Sequence, residues 1–142
     1  MSAPILSPAH ALHFMLAGNA HMTFVSKRTG VRFTYRVERK VRPGDTRIPP
    51  HFVSVLTGPD DYKYIGCIFE GRRYAHGQKS TVSKDATSNK AFAWVFGRLI
   101  EGQHHEELEV WHEGRCGRCG RALTVPESIA SGLGPECAKR ML

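Results

Sequence analysis

Hydrophobic and polar residues alternate most cleanly in VRFTYRVERK, where Val31, Phe33, Tyr35 and Val37 interleave with Arg32, Thr34, Arg36 and Glu38. Successive side chains of an extended strand point to opposite sides. This period of two therefore predicts a half-buried strand with a polar, largely basic outer face. HMTFVS precedes it across the turn KRTG, and Gly30 can take a positive φ there, so the pair reads as a β-hairpin. VRPGDTRIPP is too rich in Pro and Gly for regular structure. HFVSVLTG and YKYIGCIF then read as two more strands around the turn residues GPDD, the second apolar enough for the middle of a sheet.

GRRYAHGQKSTVSKDATSNK is polar, basic and rich in hydroxyls, and reads as a loop. From about Ala86 the period changes, because Phe92, Val95, Phe96 and Leu99 fall on one face of a helix. Ser83 or Asp85 is placed to cap its start and Gly102 to end it. Trp94 lies off that stripe and is expected to pack against the carboxyl-terminal segment. LEVWHEG is one more short strand, leading into cysteines. Strands before a single main helix predict an α+β fold: an antiparallel sheet of about four to five strands with one main helix, plus a small carboxyl-terminal module. The division expected is a basic α+β domain over 1–105 and a zinc-binding module over 106–142 packed on it.

The module rests on RCGRCGRALTVPESIASGLGPEC, which carries Cys116, Cys119 and Cys137. Two thiolates two residues apart hold one Zn²⁺ when a tight turn aims backbone N–H groups at the sulfurs, and Gly117 and Gly120 permit that turn. A lone C-x-x-C also suits a redox pair, but such pairs need no third cysteine. Thr124-Val-Pro-Glu127 reads as a capping box ahead of a short helix, and Cys137 opens a second one, an arrangement of treble-clef or zinc-ribbon type. His112, four positions before Cys116, is the first candidate for the fourth ligand; His104, His105, Glu136 and Cys67 are the alternatives. His104 and His105 with Glu106 and Glu107 otherwise form a polar connection. Four protein ligands leave no open position for water, so the expected ion is single and structural.

Charge widens the picture. The formal net charge is +7, which points to a polyanion such as DNA or RNA, or to an acidic protein. Between Lys27 and Arg47 the chain carries Lys27, Arg28, Arg32, Arg36, Arg39, Lys40, Arg42 and Arg47 against Glu38 and Asp45 only. Arg32 and Arg36 share the outer strand face beside the turn residues Lys27 and Arg28, a spacing that suits phosphates. A second patch has Arg72, Arg73, His76, Lys79 and Lys84 around Tyr74, which is expected to stack on a base. No apolar run approaches the ~18 residues of a membrane span. ALHFMLAGNA is short, contains His13 and follows no Lys or Arg, unlike a secretion leader, so a cytoplasmic location is expected.

The spacing from Cys116 to Cys137, C-x2-C-G-R-x-L-T-x-P-x-S-I-x3-G-x-G-P-x-C, resembles a small zinc-binding domain of unknown function. That family stands at the carboxyl ends of phage, prophage and plasmid proteins, with a lead-in similar to Trp111–Arg115. The resemblance implies only the ligands Cys116, Cys119, Cys137 and His112, since the family has no established activity to carry over; a host-cell cytosolic setting is expected. LAGNAHMTFVSKRTGVRFTYRV and HFVSVLTGPDDYKYIGCIF look similar to the amino-terminal part of the same proteins. No nuclease motif joins the thirteen carboxylates to a substrate-polarising group, and no phosphate-binding glycine loop follows a strand. The expected function is thus a non-catalytic, zinc-stabilised nucleic-acid-binding accessory protein of a mobile element. The alternatives are an anti-CRISPR-like inhibitor docking on a host defence protein, and a small uncharacterised enzyme acting on nucleic acid.

Overall fold

The computed structural model describes residues 3–5, 8–40, 43–44, 46–47, 49–103, 107–112 and 118. Strands β1 (Ala3–Ile5), β2 (Asn19–Ser26), β3 (Arg32–Glu38), β4 (His51–Gly58), β5 (Asp61–Phe69), β6 (Arg73–His76) and β7 (Leu108–His112) are joined by helices α1 (Pro8–Met15) and α2 (Thr87–Ile100). All strands pair antiparallel in one sheet of order β1-β7-β2-β3-β4-β5-β6. The α+β class and the antiparallel sheet follow the sequence pattern, but among the described residues the sheet has seven strands rather than four or five, and there are two helices. β7, which the sequence puts at the head of the carboxyl-terminal module, is an interior strand between β1 and β2.

The β2–β3 hairpin closes where expected. Gly30 adopts φ 74° and its N–H donates to the Ser26 carbonyl at 2.8 Å. Met22 pairs Tyr35 and Ala20 pairs Val37 on the inner side, all four fully buried. Both helices cover that side. Phe92 of α2 is the hub, with its ring 5.9 Å from Phe24, 5.1 Å from Tyr35 and 4.9 Å from Tyr74. Phe14 and Met15 of α1 complete the same core.

Polar groups fix how α2 sits. The Tyr35 hydroxyl donates to the Ser88 carbonyl at 2.7 Å, and Tyr74 donates to Asn89 Oδ1 at 2.6 Å. The buried Asn89 in turn donates through Nδ2 to the Lys84 carbonyl at 2.8 Å. Neither expected cap is used: Ala86 holds the N-cap position without a side-chain bond, and Ser83 Oγ accepts from the Asp85 N–H instead. Gly102, at φ 71°, ends the helix as expected. Tyr35→Phe removes the buried bond to Ser88 and is expected to cost about 1–2 kcal/mol. Urea unfolding reads this as a lower midpoint at unchanged slope; an unshifted midpoint would mean that the Ser88 carbonyl finds water.

One break in register shapes the far half of the sheet. Between Val53 and Ser54 the β4–β5 pairing slips by a residue, and it slips again before Gly58. Such bulges bend a strand and increase its twist. Gly66 lies at the first slip, where a Cβ would run into the Ala75 carbonyl oxygen and the Tyr74 ring.

Candidate functional site

The helices leave the opposite side of the sheet to other residues. The pairs His21–Arg36, Thr23–Thr34 and Val25–Arg32 alternate with the buried pairs of β2 and β3, so they share this outer side. Ser54 and Phe52 continue it opposite Arg36 and Glu38, Tyr64 and Cys67 follow on β5, and Phe69 pairs Arg73 at its margin. The face is therefore a surface of arginine, histidine, threonine and aromatic rings.

Its centre is built around Arg36. The bulged β4–β5 hairpin carries Tyr62 past β4, which places the Arg36 guanidinium 4.6 Å from the Tyr62 ring centroid. Arg36 Nε also pairs with Glu38 Oε1 at 2.7 Å. His21 meets the same tyrosine edge-on at 5.7 Å, with Nδ1 3.3 Å from the hydroxyl. One guanidinium is thus held by a carboxylate and a ring, which fixes its direction before any ligand arrives.

Beside it lies Phe52, 47% exposed with its ring 6.2 Å from that of Tyr64. The Tyr64 hydroxyl lies 3.2 Å from Cys67 Sγ; that bond, with burial, pushes its pKa up to about 12, so it stays uncharged. At the margin Arg73 stacks over Phe69 at 4.9 Å. Cation-over-ring pairs of this kind leave the other side of a planar guanidinium free for a base or a phosphate. Thr23 and Thr34 share a hydroxyl contact of 2.8 Å in the middle of the face, and the half-buried Trp111 pairs with Thr23.

Several residues singled out in the sequence gather here. Arg32 and Arg36 lie on the face, Arg73 at its margin, and the exposed Lys27 and Arg28 at the tip of the β2–β3 hairpin. Arg72 is exposed in the β5–β6 turn, and Lys79 is exposed in the β6–α2 loop, off the sheet. Tyr74 departs from expectation. The stretch placed in a loop includes β6, whose pairing turns Tyr74 inward with Ile68, its ring on Phe92 and its hydroxyl on Asn89. Burial also raises its pKa, so it is a core tyrosine and not a base-stacking one. Of the rings that do face outward, Phe52, Tyr62 and Tyr64 are signalled in the sequence only by the alternation in YKY and by Phe52 standing next to buried Val53.

A cleft of about 550 Å³ opens where β4 begins, β5 ends and β6 begins. Leu16, Pro50 and Phe69 line it together with the charged Arg39, Glu70 and Arg73. His51, 4% exposed, also borders it and its Nε2 lies 3.0 Å from the Leu16 carbonyl, to which it donates. Desolvation holds the imidazole below its usual pKa; the Leu16 bond opposes this and Arg39 adds to it. The unfolded chain, with an ordinary value near ~6.5, takes up the proton first as pH falls. The stability due to the neutral ring is thus complete above that value and is lost on acidification toward the folded pKa. A thermal midpoint that falls between about pH 7 and pH 5, and falls less steeply in His51→Gln, is the expected result. An identical slope in the variant would reject it.

Of the metal ligands the sequence suggests, only His112 is among the described residues; Cys116, Cys119 and Cys137 lie outside them, as do His104, His105 and Glu136. His112 ends β7 on the inner side, paired with Met22, wholly buried and 5.8 Å from the Phe14 ring. Cys67 faces the other side of the sheet, beside Tyr64 and opposite Phe52. Among the described residues no helix is long and apolar enough to cross a membrane. Trp94 is 44% exposed, with Arg98 5.4 Å from its ring. No curated protein and no solved structure matches the chain. The family described as "Family of unknown function (DUF6011)" matches residues 108–142, which is β7 and all that follows it.

Proposed function

We propose that the chain binds single-stranded nucleic acid across the outer side of its sheet and performs no chemistry on it. One observation carries the reading: arginines and outward-facing rings occupy the same face, with Arg36 over Tyr62, Phe52 beside Tyr64, and Arg73 over Phe69. Rings accept unstacked bases whatever their sequence, while guanidinium groups hold the phosphates between them. A duplex keeps its bases stacked inside and offers these rings nothing, so the face favours a single strand. From the hairpin tip at Lys27 and Arg28 to the margin at Arg73 the face spans roughly 25–30 Å, from strand rise and spacing. That is room for a short strand of at least four nucleotides, within the site sizes of sheet-based readers.

The carboxyl-terminal segment is proposed to hold one Zn²⁺ through Cys116, Cys119, Cys137 and His112. Three thiols and an imidazole suit zinc, and the buried position of His112 at the end of an interior strand would tie the site to the sheet. The ion's contribution when bound is structural: it organises backbone that is too short for a core of its own. His112 then has two tasks, closing the coordination shell and packing on Phe14.

Titration of labelled single-stranded DNA, single-stranded RNA and duplex over a salt series tests the main proposal. Single strands are expected to bind more tightly than duplex, with log affinity falling linearly against log salt, as release of counterions requires. Equal or stronger duplex binding, or none at near-physiological salt, would turn the face toward a protein partner such as a host defence complex.

A further inference from the structure

The cleft beside the face has a composition of its own. Arg39 and Arg73 bring two guanidinium groups against one carboxylate, Glu70, while Leu16, Pro50 and Phe69 add apolar surface. His51 adds no charge at neutral pH, since desolvation lowers its pKa and its Nε2–H is committed to the Leu16 carbonyl. The site is therefore net positive, part apolar, and about 550 Å³ in volume. Sites for small ligands span about 300–1,000 Å³. Two arginines suit a phosphate, an apolar surface with a ring suits a heterocycle, and a lone carboxylate suits an amine donor at its edge.

The backbone at that carboxylate is left-handed, as it is at Asp60 in the β4–β5 turn. Glu70 adopts φ 57° and Gly71 φ 67°, and the turn closes with the Arg72 N–H on the Phe69 carbonyl at 3.0 Å. Glycine takes such angles readily, whereas glutamate does so at a cost, and residues held this way concentrate at binding sites. The turn also sets Arg73 at the cleft while its guanidinium stacks on Phe69, so the cleft and the sheet face meet at one arginine–ring pair.

We propose that this cleft binds a nucleoside monophosphate unit whose base carries an exocyclic amine, with Arg39 and Arg73 on the phosphate and Glu70 accepting from the amine. The unit comes either from a free nucleotide or from the phosphorylated end of a strand lying on the face. The strand-end source rests on the single-strand reading; the free-nucleotide source does not.

Calorimetric titration of the intact chain with AMP, CMP, GMP, UMP and inorganic phosphate tests the cleft. The three amine-bearing nucleotides are expected to bind, UMP more weakly, and phosphate weakest. Arg39→Gln is expected to weaken AMP binding at least about tenfold, the loss of a charge-assisted bond. Glu70→Gln is expected to erase the preference over UMP. Ile100→Ala, at the exposed end of α2 and outside the cleft lining, is expected to leave AMP affinity unchanged. No nucleotide binding, binding indifferent to Arg39→Gln, or equal affinity for UMP and CMP would overturn the proposal. Oligonucleotides with and without a terminal phosphate separate the sources. A phosphate-dependent gain that AMP competes away assigns the strand end, and no gain alongside AMP binding assigns the free nucleotide. If oligonucleotides fail while AMP binds, the face reading falls and the cleft stands.

Discussion

Phe52→Ala is expected to weaken single-strand binding roughly tenfold to a hundredfold, since stacking one base on a ring is worth about 1–3 kcal/mol. The side chain is 47% exposed, so its removal leaves the core intact and the melting temperature nearly unchanged. Adding Arg36→Gln is expected to lower affinity further and to reduce the slope of log affinity on log salt by about 1, the signature of one lost phosphate contact. Glu38→Gln acts in the opposite direction. Its carboxylate holds Arg36 at 2.7 Å and repels phosphate, so neutralising it should tighten binding and steepen the salt dependence. Fluorescence anisotropy across a salt series reads all three. Unchanged affinity in the Phe52 and Arg36 double variant would remove the sheet face as the site.

Removing the metal is expected to have the larger structural effect. Binding of zinc to small structural sites is worth about 10–16 kcal/mol at neutral pH, and that free energy is folding free energy for the segment concerned. Freshly purified chain is expected to hold one zinc by elemental analysis, and a strong chelator to release it. Released chain should then become cleavable by protease beyond residue 112, while the core around Phe92 stays protected. Cys116→Ser and Cys137→Ser are each expected to reproduce this without chelator. His112→Cys supplies another thiolate and should retain the ion, whereas His112→Gln should lose it. Retention in His112→Gln would leave His112 as a core histidine packed on Phe14 rather than a zinc ligand. Absence of zinc from the fresh chain would remove the metal proposal altogether.

Where the side-chain period was regular, the fold was legible. Tyr35 and Val37 alternate with Arg36 and Glu38 over enough residues to fix both faces of β3, and Gly30 marks its turn. In β5 the bulge beside Gly66 leaves Ile65, Gly66, Cys67 and Ile68 all buried in succession, which hides which side Tyr62 and Tyr64 take. β6 is only four residues long, and its alternation is carried by Arg73, Tyr74, Ala75 and His76, types that loops also contain. The helix α1 has no clear signature in the sequence, because PAHALHFM is short and carries two histidines, and its burial depends on long-range packing against α2. The basic half of the candidate face could be read from charge alone. Its aromatic half needed the pairing of β4 with β5, which no local pattern shows.

The place of β7 bears on how the chain is made. β1 and β2 flank a strand that follows them by roughly eighty to a hundred residues, so neither completes its ladder until synthesis has passed His112. Closing so long a loop is slow, and until then β2 presents an open edge of N–H and C=O groups to any neighbouring chain. On the ribosome, the hairpins from β2 to β6 can pair as they emerge, while the amino-terminal strand waits. A gene shortened before codon 108 would yield a nascent product with its middle formed and its seam unsewn, prone to pairing with its own kind.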